Sequence, residues 1–468
     1  MSRILITNPL LVATMDDSHQ EFIGGHVLIE DGVIQSIGPE TADFTADEII
    51  DATGMVVIPG FINTHHHFYQ TLTRNIPLMQ NLGLFDWLTN HYELWLELTL
   101  EAIYCSAKSA ILELMRSGTT TSSDHHYVFP RDVSGELIDA QIQAAREMGI
   151  RFHPTRGSMS RGRSNGGLPP DEVVQSEQVI QRDTERLLAR YHDQSEGSML
   201  RLGLAPCSPF SVTPALMKST VEFAKANSML IHTHLAETLD EEKYCLDNYG
   251  RRPLEYIDSL GWITEFSWFA HAVHLNDAEV GRLGDVGSGI SHCPSSNLRL
   301  GSGIARIREL LDAGVKVSLG VDGSASNDGS NMLAEIRQAM LLSRLRDEQY
   351  WLTARDVLKM ATRGGADALG RSDIGQLAVG KRADIALFST SGIEYAGSGS
   401  DPLAALVFTV HSTPVDYLIV DGKIQIRNGG SMLDEAELLE QHNRLAAAMI
   451  RQATRRSGID FLKHKNGV

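Results

Sequence analysis

The sequence predicts an α/β protein: a (β/α)8 barrel of the TIM type with a small β-sandwich domain built from both chain ends. Three observations predict it. Strand-like segments alternate with helical ones across residues 59–371, and there are eight of them, the count of such a barrel. Short alternating strands fill residues 1–58 and return over 372–430. Side chains able to hold a metal gather at the C-terminal ends of the middle strands, the face on which such barrels build their sites.

The first element is β in texture: "RILITNPLLVAT", "GHVLIEDGVIQSIG" and "EIIDATGMVVIPG" alternate apolar and polar residues, and "EDG" marks a tight hairpin. Then come the eight barrel strands: "VVIPGFINTHHH", "TTTSSDHHY", "IRFHPTRGS", "MLRLGLAPCSP", "MLIHTHLAE", "SWFAHAVHL", "SGISHCPSS" and "VKVSLGVDG". Between them, "LEAIYCSAKSAILELMRSG", "SGELIDAQIQAAREMG" and "TPALMKSTVEFAKANS" space apolar residues three and four apart and end near Gly or Asn, as amphipathic helices do. "RGRSNGGLPPDE" is too rich in Gly and Pro for a helix and reads as a long loop over the barrel mouth. After it, "GKRADIALFS" and "ALVFTVHSTPVDYLIVDGKIQIRNGG" return to short strands, with a turn at "DG". Residues 431–468 read as a C-terminal helical tail carrying the basic patches "RQATRR" and "KHK".

Composition narrows the function. A chain of 468 residues, 42% hydrophobic and 21% charged, is an ordinary globular protein long enough to need no staples. Its net charge of −18 argues against a nucleic-acid polymer, which rewards clustered Lys and Arg, and points to a small-molecule substrate. Four scattered cysteines (Cys105, Cys207, Cys245, Cys293), with no CxxC pair, fit a reducing, cytoplasmic setting. The apolar start reads as a first strand rather than a signal peptide, and no run is long enough to span a membrane.

The strand ends carry the chemistry. His65, His66 and His67 close the first barrel strand, Asp124, His125 and His126 the second, and His232, His234 and Glu237 the fifth. The sixth brings His271 and His274, the seventh His292 and the eighth Asp322. Alternate residues of a strand share a face, so His65 and His67 can point inward together while His66 points away, and His232 and His234 share a face in the same way. Paired imidazoles with a carboxylate suit a divalent metal of the zinc type. His66, His126 and His274 read as structural, and Trp87, Trp95, Trp262 and Trp268 as core or pocket wall.

In this order and spacing, "PGFINTHHH", "HTHLAE", "FAHAVHL" and "LGVDGSASND" resemble the amidohydrolase superfamily, in its aminohydrolase branch that deaminates purines, pyrimidines and triazines. "IGQLAVGKRADIALF" is similar to the stretch where that family re-enters its small β-domain. The resemblance implies His65, His67, His234 and Asp322 as ligands of one divalent metal, zinc, with iron(II) compatible with the same set. It implies Glu237, His271 and Asp322 as catalytic: Asp322 and His271 take the proton of an attacking water, and Glu237 carries a proton to the ring nitrogen and the departing amine. The fourth strand has no lysine, so the bridged two-metal centre of some relatives is not expected.

"HHHFYQTLTR", "SSDHHYVFP" and "LAPCSPFSVT" are similar to the subgroup that converts 8-oxoguanine to urate, with triazine (hydroxyatrazine-type) aminohydrolases close behind. That resemblance implies a free base as substrate, with isocytosine as a second one, and guanine or cytosine deamination as an alternative. A non-catalytic scaffold is the remote reading, and relatives suggest a homo-oligomer. Gln70 is the candidate reader of the substrate's amide edge, since an amide both donates and accepts. Cys207, Arg156 and Ser158 are further candidate contacts.

Overall fold

Eight parallel strands close into a barrel in the order of the chain. They are β1 (Phe61–Asn63), β2 (Thr119–His126), β3 (Arg151–Ser158), β4 (Gly203–Pro206), β5 (Ile231–Leu235), β6 (Ser267–His271), β7 (Gly289–His292) and β8 (Lys316–Leu319), and β8 closes onto β1 at Leu319 and Asn63. The structure, a computed structural model, describes residues 3–40, 44–131, 133, 135–409 and 414–464.

Two of the expected strands are broken. Met55–Pro59 belongs to an outer sheet, antiparallel to Ile385–Ser389, and only Phe61–Asn63 enters the barrel. The break falls at Gly60, where a Cβ would lie 2.1 Å from the Thr120 side chain, so only glycine lets the chain cross there. His66–His67 then pairs with Asp322–Gly323 in a separate two-residue ladder above the barrel.

The helices between the strands arise from capped amphipathic segments. Helix α1 (Leu84–Trp95) was not singled out in the sequence. Helix α2 (Leu100–Arg116) starts at Thr99, whose hydroxyl accepts from Ala102 N, and α3 (Leu137–Met148) stops at Gly149, whose φ of 70° is the left-handed geometry glycine tolerates. Helices α4 (Glu177–Tyr191) and α5 (Pro214–Asn227) begin on Ser176 and Thr213 in the same way. The Gly- and Pro-rich loop contains only single 3-10 turns and hangs on the β4–α5 connection through Leu168 N to Phe210 O.

Strands from both chain ends build two further sheets. One has four strands, with Arg3–Thr7 between His26–Glu30 and Glu48–Asp51. The other has seven and interleaves N-terminal Leu11–Ala13 and Met55–Pro59 with C-terminal Ile385–Ser389, Tyr417–Val420 and Lys423–Arg427. Ile6, Val27 and Ile50 of the first sheet share a buried apolar cluster with Val57, Ile385 and Ile419 of the second, which is the sandwich the sequence predicts. Both predicted hairpins are present: Asp31–Gly32 and Asp421–Gly422 take positive φ at both positions. One expected strand is corrected. "ALVF" lies in a helix, Pro402–Phe408, opened by Pro402 and by Asp401 accepting from Ala404 N; residues 410–413, which the same segment covers, lie outside the described residues. The C-terminal helix Glu435–Ser457 packs its Met449 and Ala453 inward, and His442 joins Ser109 of α2 to the carbonyl of Thr71. "KHK" runs into Lys465, beyond the described residues. Among the described residues no helix is long and apolar enough to cross a membrane.

Sandwich and barrel are joined by buried charge. Arg151, at the start of β3, donates to both carboxylate oxygens of Asp384 (2.9 and 3.1 Å) and to Asp421 (3.1 Å), and its side chain is fully buried. A buried pair costs most when one partner is removed and the other is left unpaired. Asp384→Ala is therefore expected to destabilise the chain by about 3–5 kcal/mol, and Glu48→Ala, which removes a surface partner of Arg427, by less than about 1 kcal/mol; denaturant midpoints of the two variants check this.

Candidate active site

The site forms where the strands end, and the backbone there is unusual. Ala236, His271, Ala272 and Asp322 all have φ between 50° and 73°, the left-handed region that non-glycine residues avoid. Each such residue costs of order 1–3 kcal/mol and persists only where its surroundings enforce it. Here Asp322 N donates to His65 O, and Ala272 N and Val273 N donate to Leu235 O and Ala236 O. The ends of β5 and β6 thus brace one another, and the segment after β8 is braced against the segment after β1.

Neighbouring strands fix the state of each imidazole. His67 Nδ1 donates to His125 O and His234 Nδ1 to Cys207 O, both at 2.7 Å. A carbonyl only accepts, so the proton sits on Nδ1 and each Nε2 keeps a bare lone pair. His232 Nδ1 donates to Trp268 O at 2.8 Å, so its Nε2 accepts from His65 Nδ1 at 2.8 Å, which leaves His65 Nε2 bare. His271 Nδ1 donates to Asn297 Oδ1 at 2.9 Å, with the same result.

The bare nitrogens converge. His67 Nε2 lies 3.1 Å from His234 Nε2, and His65 Nε2 and His67 Nε2 each lie 3.2 Å from Asp322 Oδ1. His271 Nε2 is 3.5 Å from Glu237 Oε2 and 3.9 Å from Asp322 Oδ2. His65 Nε2 is buried with no hydrogen-bond partner. Lone pairs meeting lone pairs and a carboxylate, away from water, need a cation between them. Ligand atoms of His65, His234, His271 and Asp322 all lie within 4.8 Å of one another, and those of His67, His125 and His234 do so too. Nitrogen donors with one carboxylate suit zinc, so the residues fit the metal that the sequence implies.

The electrostatics divide the cluster: burial lowers His67, but Asp322 beside it outweighs that and raises it above the ordinary histidine value. Burial drives His65 and His234 well below the ordinary histidine value and keeps them neutral. Burial pushes Asp322 up, but His65 and His67 beside it outweigh that and hold its carboxyl well below the usual range. Serines complete its shell: Ser296 and Ser326 donate to Oδ2 at 2.6 and 3.2 Å, and Gly323 N donates to Oδ1 at 2.7 Å. Burial raises Glu237, whose Oε1 accepts from Ser302 at 3.3 Å, so this carboxyl is inclined to hold a proton.

A small cavity of about 30 Å³ adjoins these groups, walled by Gln70, Trp87, Tyr127, Cys207 and Phe210 among others. Larger clefts, of about 660 and 560 Å³, lie on the outer helices and contain none of the clustered imidazoles. Of the candidate contacts, Gln70 and Cys207 line the cavity and Arg156 and Ser158 do not. Strand parity explains this: Arg156 leaves β3 on its outer face, where it bonds Asp183 of α4 and Gln175 and stacks on Phe129, and Ser158 shares its parity. Burial pushes the Cys207 thiol up to about 12, so it stays neutral.

The remaining rim histidines sort as follows. His66 faces away to Ser330, His126 packs between Tyr69 and Phe129, and His274 lies past β6 on Ser302 O. His125 does face inward, stacked on His234 at 4.8 Å with its Nδ1 unpartnered. Sequence reasoning missed Ser296, Asn297 and Ser302, which orient the charged groups, and Glu241. The Glu241 carboxylate is fully buried and accepts from Ala236 N (3.0 Å) and Glu237 N (2.9 Å), clamping the left-handed turn that carries Glu237. Thr238-x-x-Glu241 is a capping-box pattern and was its signal.

Residues 56–425 match the amidohydrolase family. The chain is 47% identical over 454 residues to 8-oxoguanine deaminase of Pseudomonas aeruginosa, covering 96% of this chain and 100% of that protein. It is 35% identical to hydroxydechloroatrazine ethylaminohydrolase of Pseudomonas sp. strain ADP, with 94% of each covered. The crystal structure of atrazine chlorohydrolase from Arthrobacter aurescens TC1 complexed with zinc superposes with a TM-score of 0.91 at 34% identity, over 95% of this chain and 100% of that one.

Misplacing a reacting group by about 1 Å costs on the order of a hundredfold in rate. Glu241→Ala is therefore expected to lower kcat on that order with KM and metal content little changed, and Glu241→Gln, which keeps one accepting oxygen, to fall between; steady-state ammonia release and elemental analysis check both.

Proposed function

This chain belongs to the amidohydrolase family, and on that premise we propose that it is a metal-dependent aminohydrolase converting 8-oxoguanine to urate and ammonia, with isocytosine as a second substrate. The observation that carries this reading is the cavity wall: an amide, a thiol, hydroxyls and aromatic or aliphatic faces, with no lysine or arginine. Such a wall suits a neutral planar base and offers no lysine or arginine to pair with a phosphate or carboxylate. Identity of 47% along the whole length to an 8-oxoguanine deaminase, against 35% to a triazine hydrolase, selects among bases.

His65, His67, His234 and Asp322 would hold the single divalent metal, zinc. When bound, such an ion acidifies water enough to supply a nucleophile at neutral pH. His271 Nε2 and Asp322 Oδ2 face the same point and take the proton of the attacking water. Glu237, whose carboxyl pKa burial raises, gives its proton to the ring nitrogen beside the amino carbon, takes up the hydroxyl proton as the new carbonyl forms and passes it to the departing amine. The proton first taken from water then returns to Glu237. Water is consumed, ammonia leaves and a carbonyl replaces the amino group. Gln70 reads the lactam edge from its place on the cavity wall.

The same reading divides the chain into a sandwich (1–58 with 372–430), a barrel (59–371) and a helical tail (431–468), and makes the protein a cytoplasmic homo-oligomer. Four buried, unpaired cysteines support the reducing compartment. A scaffold role is disfavoured by the complete donor set.

Two measurements test the proposal. Across guanine, 8-oxoguanine, isocytosine, cytosine, adenosine and hydroxyatrazine, ammonia release is expected to be most efficient with 8-oxoguanine, to yield urate, and to stop on metal removal; preference for hydroxyatrazine would overturn the substrate. Glu237→Gln is expected to lower kcat by about 10²–10⁴-fold with metal content unchanged.

A further inference from the structure

The cavity wall is supplied from two sources. The barrel rim brings Glu237, His271 and Asp322, where the amino-bearing carbon must sit. Helix α1 brings Leu84, Trp87 and Leu88, and loops beyond the strands bring Phe210 and Leu300. Of these five residues only Trp87 has a hydrogen-bonding side chain, and it can only donate; Gln70, Tyr127, Cys207 and Ser326 supply other polar groups of the wall.

Trp87 stands apart from the other tryptophans. Trp95, Trp262, Trp268 and Trp351 each donate their indole N–H, to Thr73 Oγ1, Met217 O, Thr64 O and Arg346 O at 2.9–3.2 Å. Trp87 is 2% exposed, its Nε1 is buried without a partner, and it lines the cavity. Its neighbour His91 packs ring on ring (4.1 Å between centroids, 42° apart) and spends its own Nδ1–H on the Trp87 carbonyl. A buried donor left open beside a binding cavity is a site for an acceptor.

We propose that the Trp87 indole N–H is a specificity-determining donor, bonding a carbonyl oxygen that the substrate carries on the ring edge remote from its amino carbon. Resting on the functional reading above, this is the C8 carbonyl of 8-oxoguanine. With C2 held at Glu237, the five-membered ring extends away from the rim, and C8=O is its outermost acceptor. Guanine has a C–H at that place and isocytosine lacks the second ring. A cavity of about 30 Å³ holds a water and not a bicyclic base, so its wall must part to admit the base.

The test compares wild type with Trp87→Phe, which keeps an aromatic ring and removes the donor, on 8-oxoguanine, guanine and isocytosine. Ratios between substrates measured on one preparation cancel any loss of folded enzyme. The expected result is a fall in kcat/KM for 8-oxoguanine of roughly ten- to a hundredfold, with guanine and isocytosine changed less than about threefold. Equal losses on all three, or none on 8-oxoguanine, overturn the role of Trp87 and leave the deaminase reading standing. A wild type that does not deaminate 8-oxoguanine overturns that reading and this inference with it.

Discussion

The chemistry of this site depends on hydrogen bonds made at a distance from it, from the Nδ1–H of three imidazoles to backbone carbonyls of neighbouring strands. His67 of the first strand end uses the carbonyl of His125 on β2, His232 uses Trp268 on β6, and His234 uses Cys207 at the end of β4. Each bond fixes a tautomer and turns the bare Nε2 inward. His232 and Trp268 are register partners, so the barrel's alignment itself decides which nitrogen can bind a metal. A slip of one residue would turn every one of these side chains to the other face. The closed barrel, with no free edge to slide, is what makes such an arrangement dependable.

The same rim explains where strain is tolerated. Left-handed residues at the ends of β5 and β6 and at Asp322 bend the chain sharply so that its side chains face the centre, and the adjoining backbone groups bond to one another. Glu241 shows the device most plainly: both of its oxygens are committed to the turn, and burial raises its pKa to about 7. A group held this way stabilises the turn in its charged form. Its role is geometric: it aims Glu237, the proposed proton carrier, which must be held in place as well as poised.

Much of this was legible in the sequence because strand parity is a two-state question. His65 and His67 against His66, and His232 with His234, follow from alternation and the closing of the barrel, and the fold showed itself in eight strands and two β-rich ends. Arg156 failed by the same rule: the sequence offered a cation near the rim, but its parity sends it to α4. Pro402–Phe408 failed because a short apolar run is ambiguous in period, and its Asp-Pro start, a helix opening, was the better guide. The partners of the functional groups, such as Asn297 and Ser302, carry no spacing signal at all. They come from the short helix Pro294–Arg299 and the loop after it, whose paths depend on the assembled barrel.

Substrate choice and chemistry are nevertheless joined at one point. Asp322 and Gly323 lie together on the ladder with His66 and His67. A Cβ on residue 323 would fall 1.9 Å from Gln70 Oε1, so glycine there lets the amide reach its place on the cavity wall, where it also accepts weakly from Ala325 N. The carboxylate proposed to complete the metal's donor set and the space that admits Gln70, the proposed reader of the substrate, therefore belong to adjacent residues. Movement of Gln70 to accommodate another base would press on the backbone that holds Asp322. Helix α1 carries no such link to the donor set, since it contributes Leu84, Trp87 and Leu88 to the wall and none of the converging ligands. The wall is thus divided by its tolerance for change: its Gln70 side is tied to the chemistry, and its α1 side is free to vary with the substrate.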